Sequence, residues 1–163
     1  MKAAVADYVE ETAEKLREQK SVCKSLSVFL LTDPYKNKQR QYRNSITLEM
    51  PFAANDTMSL QQIAFLGLKQ IFRPGYKYKK AGVAVFDLIS SENLQYTLWE
   101  DTQTIYKRRL LFEKIDFINS SLGTIRFAVQ NKQGIHRMLQ QHKSPEYTTR
   151  IDQVPKINMD LKI

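Results

Sequence analysis

The chain has 163 residues, 42% of them hydrophobic and 26% charged, which suits one ordinary domain or a small domain with an extension. No apolar run approaches the roughly 20 residues of a membrane span, and the opening MKAAVADYVEETAEKLREQK lacks the apolar centre of a secretory signal, so the expected compartment is the cytoplasm. With 25 basic and 17 acidic residues the net charge is +8, which favours a polyanionic partner; the single Cys23 and the two histidines, His136 and His142, exclude an internal disulfide and a zinc-ligand cluster.

From Ala4 to Glu18 the apolar positions Val5, Val9, Thr12 or Ala13, and Leu16 recur at helical spacing, which predicts one amphipathic helix. SLSVFLLT, residues 25–32, is rich in β-branched and aromatic side chains and ends at Asp33-Pro34, a strand followed by a turn. Between Tyr42 and Met50 the pattern alternates, with Ile46, Leu48 and Met50 on one side and Arg43, Ser45, Thr47 and Glu49 on the other. Such alternation predicts a strand with one wet face. Ser59 and Gln62 form a capping box for a helix striped by Leu60, Ile63, Ala64, Leu68 and Ile71 and stopped at Arg73-Pro74-Gly75. A long strand is expected over 76–90.

Helix, strand, strand, helix, strand is the order of an α+β layer, with an antiparallel sheet, both helices packed on one face and the other face free. A ferredoxin-like split arrangement needs one further strand before the first helix, so the opening strand is expected to be missing from this sequence. The stretch SSENLQYTLWED follows, residues 90–101, and carries the single tryptophan, Trp99, in polar surroundings. Its indole either folds back onto the core or is offered to another protein. Beyond it, Thr104 to Ile118 reads as a helix striped by Leu111, Phe112, Ile115 and Ile118. GTIRFAV (123–129) is expected as a short strand and GIHRMLQQH (134–142) as a short helix, and the tail SPEYTTRIDQVPKI has no periodicity. These last elements make a small α/β extension.

Cations gather in two places. KQIFRPGYKYKK carries Lys69, Arg73, Lys77, Lys79 and Lys80 with no acid and with Tyr76 and Tyr78 interleaved, and YKNKQRQYR brings together Lys36, Lys38, Arg40 and Arg43. The two clusters are either solvated turns or a phosphate-binding surface.

Three runs taken in order, RPGYKYKKAGVAVFDLIS, LQYTLWED and SPEYTTR, resemble the C-terminal portion of the UmuC-type Y-family lesion-bypass DNA polymerases, and the resemblance covers nearly the whole chain. It implies a little-finger-like DNA-binding domain over 1–90, a clamp-binding linker over 91–101 and a C-terminal extension over 102–163. On that resemblance Lys36, Lys38, Arg40, Arg43, Arg73, Lys77, Lys79 and Lys80 are candidate phosphate contacts to double-stranded template-primer DNA. Phosphate contacts position a protein without reading sequence, as a lesion-tolerant enzyme requires. Gln95, Tyr96, Thr97, Leu98 and Trp99 stand where the family carries its sliding-clamp pentapeptide, and Leu98 and Trp99 would fill an apolar pocket. The resemblance also implies a processed UmuD dimer and the recombinase filament as partners, in SOS mutagenesis at the bacterial nucleoid.

Polymerase chemistry needs paired carboxylates around two metal ions. The family places them, with their Mg2+, in a palm domain upstream. The acidic neighbours here, Glu10 with Glu11 and Glu100 with Asp101, read as solvated or helix-capping charges, so no catalytic residue and no cofactor are expected in this chain. A competing reading is a free-standing interaction protein that occupies the clamp and needs no DNA.

Overall fold

A computed structural model describes residues 1–36, 40–93, 102–123 and 125–129. Met1–Gln133 form one compact unit, and the second unit, Gly134–Ile163, lies outside the described residues together with the helix expected over 134–142 and the SPEYTTR tail.

The elements run α1 (Lys2–Glu18), β1 (Ser21–Thr32), β2 (Arg43–Ala54), α2 (Thr57–Ile71), β3 (Tyr78–Phe86), β4 (Ile89–Ser90), a 3-10 turn at Ser91–Asn93, and α3 (Thr102–Ser121). The strands pair antiparallel in the order β2-β1-β3, so β1 is central, and β4 pairs with the first residues of β1. This is the expected α+β layer. Helix α1 buries Val5, Val9, Ala13 and Leu16, and α2 buries Leu60, Ala64, Leu68 and Ile71. Both stripes close on Leu26, Val28 and Leu30 of β1, Met50 of β2, and Ala81, Val83 and Val85 of β3. Each large aliphatic side chain buried in this way contributes about 1.5–3 kcal/mol, and that burial holds both helices to the same side of the sheet.

Three local readings of the sequence are corrected. The N-cap of α2 is Asp56, whose side chain accepts from the Ser59 N–H at 2.9 Å. Ser59 therefore lies inside the first turn and does not open a capping box with Gln62; its hydroxyl instead accepts from Arg108 at 3.3 Å. The strand expected over 76–90 is interrupted because Asp87 takes a left-handed backbone (φ 54) and its carboxylate accepts from the Ser25 hydroxyl, after which β4 resumes pairing with β1. No strand forms at 125–129: the N–H of Ile125 donates to Asn119 Oδ1 at 2.6 Å, and the Phe127 ring lies 6.0 Å from Phe112.

Helix α3 docks through a different stripe from the apolar one. Phe112 is 1% exposed, but Leu111 is 52% exposed. The inward line is Arg108, Phe112 and Asp116, spaced four residues apart so that they share a face. Its anchor is Arg17 of α1. Arg17 donates from Nε and Nη2 to the two oxygens of Asp116 at 2.5 and 2.7 Å, and from Nη1 to the Asn55 carbonyl at 2.9 Å, while its guanidinium sits 5.1 Å over the Phe112 ring. The side chains of Arg17 and Asp116 are only 7% and 28% exposed, so water screens this pair poorly.

Asp116→Ala would leave the Arg17 charge buried without its carboxylate, so chemical denaturation should show a loss of roughly 2–4 kcal/mol, near the range for breaking a buried pair. Glu11→Ala, which removes the exposed pairing with Lys15, should leave the denaturation midpoint nearly unchanged, because water screens that pair. Equal losses in the two variants would show that Asp116 does not anchor α3.

Candidate nucleic-acid interface

A strand exposes alternate side chains to opposite faces. Half of the side chains of β1, β2 and β3 therefore point away from the helices. Register arranges them in rows across the sheet: Arg43, Leu31 and Lys80; then Ser45, Phe29 and Gly82; then Thr47, Ser27 and Ala84; then Glu49, Ser25 and Phe86. The two middle rows are mostly small or hydroxylated. At Gly82 an added Cβ would fall within the Phe29 ring, so the ring lies flat across β3 only because no side chain stands there. A shallow hollow of about 560 Å³ opens beside it, lined by Phe29, Leu31, Arg43, Asn44 and Ser45.

Charge divides this face lengthwise. Arg43 and Lys80 flank Leu31 in the first row. With a strand spacing of about 4.8 Å, their backbones stand roughly 10 Å apart. Glu49 closes the other end, with Asp87 immediately after Phe86. A polyanion is attracted more strongly to the first end, since at the second Glu49 and Asp87 outnumber the exposed Lys24 of β1.

The remaining candidate cations cluster at the positive end. Lys36 and Arg40 are exposed in the β1–β2 connection, and Lys77 is exposed just ahead of β3. Arg73 follows α2 and lies 5.4 Å over the Tyr42 ring. Lys79 has an internal partner: its ammonium is 2.8 Å from Asp33 Oδ2. That hydrogen bond, first among its causes, holds the Asp33 carboxyl below its ordinary range. The structure thus brings Lys36, Arg40, Arg43, Arg73, Lys77 and Lys80 to one end and ties Lys79 to the turn beside them. Lys38 and the pentapeptide Gln95–Trp99 lie outside the described residues.

Sequence reading missed the packing behind these cations. Tyr42 packs at a tilt against Tyr76, ring centroids 4.9 Å apart, and meets Tyr78 edge-on at 6.0 Å, and Phe72 packs 5.6 Å from Tyr78. The Tyr42 hydroxyl donates to the Ile71 carbonyl at 2.6 Å, and the Tyr78 hydroxyl donates to the Arg73 carbonyl at 2.9 Å while accepting from the Arg73 N–H. Gly75, in a left-handed conformation (φ 86), turns the chain between α2 and β3. The interleaving of tyrosines with lysines was the available signal, because rings alternating with charges can wall a turn while the charges stay in water.

Other titratable groups read as structural. Burial pushes the Cys23 thiol up to about 12, so it stays protonated as a core side chain. Burial also raises Glu10, against the opposing pull of Arg126. Among the described residues, no group of three or more His, Cys, Asp or Glu side chains is placed to hold a metal ion, and no helix is long and apolar enough to cross a membrane.

The impB/mucB/samB family C-terminal domain matches residues 1–98, from α1 through the whole sheet. The chain belongs to this family. A domain of unknown function, DUF4113, matches residues 110–157, beginning within α3. Among the family's relatives, UmuC of Salmonella typhimurium is 31% identical over 159 residues, 96% of this chain and 38% of that protein. ImpB of Salmonella typhimurium is 30% identical and MucB of Escherichia coli 32%, each over 95% of this chain and 37% of the relative. The resemblance to the C-terminal portion of UmuC-type proteins is therefore borne out, and the chain spans under two fifths of the length of these relatives.

Proposed function

We propose that this chain is the DNA-gripping and clamp-tethering C-terminal part of a UmuC-like translesion DNA polymerase, acting in SOS mutagenesis. The observation that carries the reading is the sheet face that α1 and α2 leave open among the described residues: its central rows are mostly small, and the candidate phosphate contacts gather at one end. Double-stranded template-primer DNA lies against that end, with phosphates on Arg43 and Lys80 and on the rim cations Lys36, Arg40, Arg73 and Lys77. Such contacts position a duplex of any sequence. Mg2+ and the chemistry of synthesis belong with palm carboxylates in a longer protein. The family resemblance supports a processed UmuD dimer and the recombinase filament as further partners.

Tethering falls to Gln95–Trp99, which directly follow the sheet domain. Gln95 supplies hydrogen bonds and Leu98 and Trp99 supply apolar anchors, the economy expected of a short recognition peptide.

Duplex affinity should fall with salt at a log-log slope of about −3 to −5, as for four or five neutralised phosphates. Lys80→Glu combined with Lys77→Glu should weaken binding to unrelated sequences alike, and Glu49→Gln should strengthen it. A flat salt response, or a Glu49→Gln variant that binds more weakly, would contradict the assigned face.

Replacing Leu98 and Trp99 by alanine should abolish capture by an immobilised sliding clamp and leave duplex affinity within about twofold, since the duplex grip proposed above uses neither residue. Loss of both activities together would place the indole in the core and refute tethering. Intact clamp capture would refute it equally.

A further inference from the structure

The aromatic side chains at the positive end differ in one respect. Tyr42, Tyr76, Tyr78 and Phe72 pack on one another, whereas Tyr35 is 88% exposed and its ring enters none of the ring pairs among the described residues. Its backbone is nonetheless firmly tied. Asp33 Oδ1 accepts from the Tyr35 N–H at 3.2 Å, the Asp33 carbonyl accepts from the Lys36 N–H at 3.2 Å, and Asp33 Oδ2 binds Lys79 of β3. Pro34 fixes one further backbone angle. On the return side Gln41 donates to the Lys36 carbonyl at 3.1 Å and its Oε1 accepts from the Thr32 hydroxyl at 2.7 Å. Asp33 to Lys36 therefore hold a flat, wet ring out in solvent, in a connection that also exposes Lys36 and Arg40.

We propose that Tyr35 is a stacking platform for an unpaired nucleobase, with Lys36 and Arg40 on the flanking phosphates of a single-stranded stretch. A ring that pairs with no other ring among the described residues, in a connection that exposes Lys36 and Arg40, matches what single strands require: a π-face for the base and positive charge for the backbone. Bases within a duplex have both faces already stacked, so they cannot use it. The site shares Lys36 and Arg40 with the proposed duplex grip and goes beyond it through Tyr35, which that grip does not use. Ordering the turn in advance lowers what must be lost in conformational freedom when a base settles on the ring.

The test uses the full chain and two fluorescent probes: a short oligothymidylate, and an abasic phosphodeoxyribose chain of the same length and charge. The native protein should bind the oligothymidylate about tenfold more tightly, within the range for one stacked base. Tyr35→Ala should remove that preference without changing affinity for the abasic chain, and Tyr35→Phe should keep it. The proposal is overturned if the native protein does not distinguish the probes, if neither probe binds at low salt, or if Tyr35→Ala retains the preference. Blunt duplex binding, measured on the same variants, reads the duplex proposal separately and should not change with Tyr35.

Discussion

A single layer of helices can cover only one side of a sheet. Once α1 and α2 close on Leu26, Val28 and Leu30, the period of two along each strand commits Ser25, Ser27, Phe29 and Leu31, with their neighbours on β2 and β3, to the opposite side. No choice of rotamer reverses this, because a one-residue slip in register would send the core side chains into water. That α1 and α2 leave this face open follows from how the core forms. The residues on it are mostly small in the middle, with Arg43 and Lys80 at one end and Glu49 and Asp87, beside Lys24, at the other.

Two ion pairs then fix the parts that hydrophobic burial alone leaves loose. Arg17, shielded from water and shared among Asp116, the Asn55 carbonyl and the Phe112 ring, joins α3 to the helices at the far end of α1 from its N-terminus. Asp33 joins the β1–β2 turn to Lys79 at the positive end of the sheet. The pairs differ in strength for a physical reason. The first is screened from solvent and bidentate, which makes its loss costly. The second has a Lys79 side chain that is largely in water, so it orients a turn more than it stabilises the fold.

Much of this was legible in the sequence because it depends on periodicity. The stripes Val5–Val9–Ala13–Leu16 and Leu60–Ala64–Leu68–Ile71, and the alternation from Arg43 to Met50, each have one solution, and the structure adopts it. What stayed hidden depends on partners distant in sequence. Asp56 and Ser59 both satisfy a helix-start pattern, and the cap goes to the aspartate. The docking stripe of α3 includes Asp116 because Arg17 waits 99 positions away, which no local pattern reports. Asp87 ends β3 through a hydroxyl on β1. Likewise the eight candidate cations were visible as a composition, but the engagement of Lys79 by Asp33 and the opposing charge of Glu49 appear only once the strands are paired.

The central claim is that nucleic acid meets the uncovered sheet face and not the helices. The most direct measurement places a photo-crosslinking benzophenone side chain at Thr47, on that face, or at Gln62, exposed on α2, and irradiates each protein with duplex DNA. The account predicts covalent DNA adducts from position 47 and none above background from position 62. Adducts from position 62 with none from position 47 would contradict it.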